Sequence, residues 1–210
     1  GSSKGIGRSI KKRLNELKIQ IIAPPRKELD TSNLDSVKNG TTIEHTEYQQ
    51  ILMKQLINVL ENNHFKNVKT YIQSGNVVFT YNNSSCSDLE IILSKLILQA
   101  FGHTITVLVK TVQDLKIIIE DFPLSKEVIE QSYFLMLKNK PLEQDFEKLN
   151  SISYPNEVFK YCNTTVYLYC SHGYGKTKLT SNFFEKQLKV AITARNYKTI
   201  NKVLQLAEAI

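Results

Sequence analysis

Apolar side chains recur along this chain with two alternating periods. Ile6, Ile10, Leu14 and Leu17 lie three to four residues apart with basic residues between them, which predicts a helix over 6–17. Ile19–Ala23 is a short apolar run stopped by Pro24 and Pro25, the mark of a strand. Asp30–Asn33 reads as a turn or helix start, and residues 39–47 carry no clear period and read as a junction. Helical spacing returns over 48–62, with apolar positions 51, 52, 56, 59 and 60. Val68–Tyr81 is β-rich with Ser74-Gly75-Asn76 as a turn or bulge, and Ser87–Phe101 is a helix that Gly102 stops. A strand over 104–110, a helix over 112–120, a strand over 133–137 and a short helix over 142–149 follow. A hairpin of 158–162 with 165–170, turning at Asn163-Thr164, precedes two helices near 180–189 and 197–209. No internal repeat stands out. This mixture predicts an α+β architecture.

Composition narrows the class. With 41% hydrophobic and 22% charged residues in 210, the chain can bury a core, and wholesale disorder is excluded. The charge is uneven. Residues 1–40 hold nine basic and four acidic side chains and 174–202 hold seven and one, whereas 41–173 hold eleven and fourteen. Cys86, Cys162 and Cys170 form no C-x-x-C pair, and the four histidines are scattered, so neither a disulfide framework nor a metal site is expected. No apolar run approaches the roughly 18 residues a membrane helix needs, and no signal peptide opens the chain. A cytoplasmic protein without membrane contact is the expectation. Gly1 is not a methionine, so the natural product is expected to begin upstream.

The first segment carries a recognisable chemistry. Gly1-Ser-Ser-Lys-Gly5-Ile-Gly7 runs directly into the first helix. Glycines let backbone approach a pyrophosphate, and the helix start supplies free N–H groups. From Gly1 to about Val37 the chain resembles the opening of a short-chain dehydrogenase/reductase. The resemblance implies phosphate contacts at Gly1, Gly5 and Gly7, NADP selection by Arg26 and an adenine neighbour in Asp30. It also implies a truncated segment over 1–38, since the strand before Gly1 and the Asn-Ala-Gly turn are missing. Tyr174 and Lys178 have the Tyr-x-x-x-Lys spacing of that family, but Tyr174 stands between two glycines and no serine lies near 161. The dehydrogenase catalytic set is therefore absent, and the chain is read as non-enzymatic. No cofactor is expected unless upstream residues complete the NADP site. With only four acidic residues against nine basic ones and no partner sheet in view, residues 1–40 are expected to pack loosely.

The remainder resembles a different family. Phe65–Phe79, Tyr167–Thr180 and Thr193–Thr199 carry the likeness, from about Tyr48 to Ala207, to the bacterial family catalogued as domain of unknown function 1697. It implies ferredoxin-like β/α elements in one or two small subdomains, placed at 48–210 behind the Rossmann-like remnant and the 39–47 junction, and no established activity. Members open with a strand and a glycine-rich loop before their first helix. Gly40–Glu47 holds that place here, so the first strand is expected to be missing unless Ile19–Ala23 is recruited for it.

Cys170-Ser-His-Gly-Tyr-Gly175-Lys176-Thr177 is a near miss to a phosphate-binding P-loop, with Cys170 at its first glycine position and only about 35 residues after it. A milder chemistry remains. Gly173, Tyr174, Gly175, Lys176 and Lys178, at a helix start, form a candidate anion site to which Arg195 adds a guanidinium if the fold brings it near. The preferred reading is a binding module for a small anion or phosphorylated ligand. Two alternatives stand beside it: a fragment of an NADP-dependent short-chain oxidoreductase, and RNA or single-stranded nucleic-acid binding through 174–202, where Tyr174, Phe183, Phe184 and Tyr197 interleave with basic residues.

Overall fold

The computed structural model describes residues 17–22 (as backbone), 53–72, 75–82, 84–151 and 154–210. They form two compact units. One comprises residues up to Val112 with Gln205–Ile210, and the other Gln113–Leu204.

The first unit runs β1 (Leu17–Ile22), α1 (described over 53–62), β2 (Lys66–Tyr71), β3 (Asn76–Thr80), α2 (Cys86–Phe101) and β4 (Val107–Thr111). Its sheet is antiparallel throughout in the order β4-β1-β3-β2. That is the order of a split βαβ, ferredoxin-like unit. The second begins with α3 (Val112–Glu120), then repeats the scheme with β5 (Ser132–Leu137), α4 (Glu143–Asn150), β6 (Glu157–Cys162), β7 (Thr165–Cys170), α5 (Ser181–Leu188) and β8 (Ile192–Asn196). Its sheet order is β8-β5-β7-β6, again antiparallel, and α6 (Tyr197–Glu208) follows. The same topology therefore occurs twice, although no repeat is evident in the residue pattern.

Two expectations change at β1. The strand expected at 19–23 is the six residues Leu17–Ile22, and it lies in the middle of the sheet, paired with β3 through Leu17↔Thr80 and with β4 through Ile22↔Val107. Residues 17–22 thus have backbone partners on both sides, where the sequence shows no partner sheet for them. They occupy the place of the first strand, and they run antiparallel to both neighbours. A dehydrogenase's second strand would pair in parallel. Gly1, Gly5, Gly7, Arg26 and Asp30 lie outside the described residues, as does the helix expected over 6–17 except for its last residue, Leu17, which belongs to β1.

Local chemistry explains the other elements. Ser85 caps α2, its Oγ accepting from the Asp88 N–H at 3.1 Å while the Asp88 carboxylate accepts from the Ser85 N–H at 3.3 Å. Leu89, Leu93 and Ile97 follow at helical spacing, face the sheet and are buried with Val77, Phe79 and Val109. Gly102 ends the helix at φ 72°, where a Cβ would be strained. Gly75 sits in a β2–β3 turn at φ 74°, while the bulge lies earlier, between Lys66 and Lys69 with Asn67 at φ 54°. In the second unit, Leu135, Leu137, Val166 and Leu168 meet Phe184 and Leu188 of α5 on one sheet face. Burying each such side chain contributes about 1.5–3 kcal/mol. β8 is the strand the periodicity does not predict. Ile-Thr-Ala-Arg-Asn alternates too weakly to stand out from the loop before it. Among the described residues no helix is long and apolar enough to cross a membrane.

Candidate functional site

β7 ends at Cys170 and α5 begins at Ser181, so ten residues connect them. The equivalent link in the first unit, from Thr80 to Cys86, takes five. The longer one holds Gly173, Tyr174, Gly175, Lys176 and Lys178. Gly173 has φ 82°, a left-handed value that favours glycine, and starts a 3-10 turn over Tyr174–Lys176. A Cβ added at Gly173 or Gly175 would meet nothing within 4 Å, so solvent reaches this backbone.

Tyr174 anchors the turn. Its ring stacks on Tyr133 of β5 with centroids 4.4 Å apart and planes 26° apart, and its hydroxyl accepts the Ser181 N–H at 3.0 Å. Burial raises the Tyr133 phenol above its ordinary value, helped by nearby Cys170 and Tyr174. Thr177 Oγ1 accepts from the Leu179 N–H at 2.8 Å, and Leu179 is buried in the core. Thr180 caps α5, its Oγ1 accepting from the Phe183 N–H at 3.3 Å. These contacts engage the Ser181 and Phe183 amides and leave Asn182 as the first-turn donor they do not use. Lys176 and Lys178 are exposed. Thr177, Thr180 and Tyr133 were not among the expected site residues. The Thr180 cap is readable from sequence, since a threonine precedes the helical spacing of Phe184 and Leu188. The Tyr133 contact spans 41 positions and is not.

Arg195 does not join this loop. It pairs with Phe134 across β5 and β8, whereas Tyr133, one residue earlier, stacks on Tyr174. Successive strand residues face opposite sides, so the guanidinium leaves the sheet on the other face. There it is buried and donates to Thr193 Oγ1 at 2.9 Å and to its neighbour's carbonyl, Ala194 O, at 2.8 Å. Burial pulls its pKa down from the ordinary arginine range to about 10.

Other reactive groups are held in structural roles. Ser171 Oγ donates its proton to Asn156 O at 3.0 Å, so its 3.2 Å contact with His172 Nδ1 is not a nucleophile poised on a base. Burial and the Asp121 carboxylate, 3.9 Å away, push the Cys162 thiol up, and burial pushes Cys170 up, which disfavours both thiolates. Among the described residues no three His, Cys, Asp or Glu side chains group to hold a metal. The rings of the basic stretch pack inward. Phe183 and Phe184 meet Tyr154 and Phe159, and Tyr197 stacks on Phe134 at 6.0 Å.

Residues 42–167 match the family model described as protein of unknown function (DUF1697). The chain belongs to the DUF1697 family. The match begins inside the expected 39–47 junction and stops before the Gly173–Lys178 loop. Among solved structures, the conserved bacterial protein SP0830 from Streptococcus pneumoniae is similar, with a TM-score of 0.61 at 18% identity, over 92% of this chain and 99% of that one. At that identity the likeness speaks for the fold. No curated protein matches.

Proposed function

We propose that this DUF1697 member is a binding module whose β7–α5 loop, Gly173–Lys178, takes a small anion or the phosphate of a phosphorylated ligand. One observation carries the reading. The chain makes the same strand-to-helix connection twice, in five residues in one unit and in ten in the other, and the additional length holds the solvent-facing glycines and two lysines on a frame fixed by Tyr174. An insertion confined to one copy of a repeated scaffold is where binding residues gather. Two exposed lysines at a partly occupied helix start contribute modestly, roughly 0.2–1 kcal/mol per exposed ion pair. The affinity is therefore expected to be millimolar or weaker, at most about 4 kcal/mol, and should weaken further as salt screens the charges. Phosphate titrated at low ionic strength should move the amide resonances of Tyr174–Leu179 saturably and leave the Asn163 turn unmoved. Lys176→Ala with Lys178→Ala should abolish the response in a folded chain. Amides that ignore phosphate, or that respond equally in the double variant, would leave the loop a plain connection.

A further inference from the structure

Among the described strands β4 and β8 are the outer ones, β4 pairing with β1 and β8 with β5. In both units a glutamate from the neighbouring helix takes an outward amide of that strand. The Val109 N–H of β4 donates to Glu90 Oε1 of α2 at 3.0 Å, and the Ile192 N–H of β8 donates to Glu185 Oε1 of α5 at 2.7 Å. The direction of the Ile192 amide follows from the ladder. Lys138 N–H bonds Ala191 O at 2.9 Å, so Ile192, the next residue, faces away from β5. Ala194 faces the same way, and its carbonyl takes the Arg195 guanidinium.

The two glutamates hold equivalent places. Each stands five residues after a hydroxyl N-cap, Ser85 or Thr180. Each follows a fully buried apolar residue, Leu89 or Phe184, and precedes another by three, Leu93 or Leu188. The shared spacing is Ser/Thr, three residues, Leu/Phe, Glu, two residues, Leu. The cap sets the helical phase, the two apolar residues turn one face to the sheet, and the glutamate on that face's flank reaches the outer strand.

We infer that Glu90 and Glu185 are edge guards, each occupying the outward amide of a closing strand and so preventing a second copy of this chain from adding a strand there. Unpaired edges are templates for self-pairing, and charge placed against them is a known deterrent. A carboxylate also makes a charge-assisted bond that a visiting backbone carbonyl must displace.

Hydrogen exchange in the full chain tests this. Glu185→Ala should speed exchange of the Ile192 amide about tenfold or more while the inward Thr193 amide is unchanged, and Glu90→Ala should do the same at Val109. Glu→Gln at either site retains an acceptor oxygen and should keep most of the protection. The double alanine variant should sediment with a mass that rises with concentration beyond that of the parent. Unchanged exchange in the alanine variants, or a folded double variant that sediments like the parent at every concentration, would overturn the inference. If an alanine variant does not fold, the parent decides. Its Ile192 and Val109 amides must exchange more slowly than the outward Phe159 amide of the other outer strand, β6, and equal rates would overturn the inference.

Discussion

Tyr167 shows how one hydroxyl ties an element down. The side chain is fully buried, edge-on to Phe122 and Phe134, and its hydroxyl donates to the Ile118 carbonyl of α3 at 2.9 Å. Burial, with Cys162 and Asp121 nearby, drives its phenol far above the ordinary value of 10.0. Tyr133, Tyr154 and Tyr161 are also raised, burial being the leading cause in each. A folded-state pKa above the unfolded one stabilises fully below about pH 10 and is lost as pH rises past it, because the unfolded chain then releases protons that the folded one retains. Tyr167→Phe should lower stability by about 1–2 kcal/mol at neutral pH, through the carbonyl left without its donor. It should also flatten the fall in stability above pH 10. Urea unfolding at pH 7 and in an alkaline series checks both, and an unchanged alkaline slope would remove Tyr167 as its source. Residue type alone did not reveal Arg195's role. Its charge suggests an anion ligand, but strand parity places it on the opposite face, and that parity cannot be read from a segment whose alternation is too weak to mark β8 as a strand.

Among the elements, the helices were the most legible, because their caps and their apolar spacing are local. The predicted stop of α2 at Gly102 and the start of α5 near Thr180 match the observed caps. The two helices end differently. Gly102 takes the left-handed conformation without a side chain, whereas Lys189 takes it at φ 55° and reaches Asp145 of α4, whose buried carboxylate accepts from its Nζ at 3.1 and 3.4 Å. The carboxylate also draws Lys148 to 3.7 Å. The caps carry comparable weight, so Ser85→Ala and Thr180→Ala should each cost about 1 kcal/mol in denaturant unfolding. The Thr180 variant should also loosen the Gly173–Lys178 loop, read as faster amide exchange at Leu179 and Ser181. Identical exchange there would mean that Tyr174 and Thr177 hold the loop without the cap. The candidate loop was readable for the same reason as the caps, since its glycines and lysines are adjacent in sequence. Its anchor on Tyr133 was not.

At the scale of the molecule, β1 carries the largest consequence. Leu17–Ile22 bridges β3 and β4, and among the described strands it is the one that β4 pairs with. A chain lacking residues 1–22 should lose exchange protection at Val77 and Leu108, whose amides face β1, and the cooperative unfolding of the first unit. Full protection at both positions in the shortened chain would show that the sheet closes by another route.

The sequence alone determined that the chain is α+β, where most helices and the β6–β7 hairpin lie, and which loop gathers glycines with lysines. These follow from interactions within about ten residues, whose signals are spacing, caps and turn residues. The tertiary structure decided what long-range pairing controls. It placed Leu17–Ile22 inside an antiparallel sheet, turned Arg195 away from the loop, and matched Glu90 with Glu185 across two units without evident repetition. A strand's neighbours, and the face to which each side chain turns, are set by hydrogen-bond register with residues tens of positions away. Local periodicity contains no record of that register.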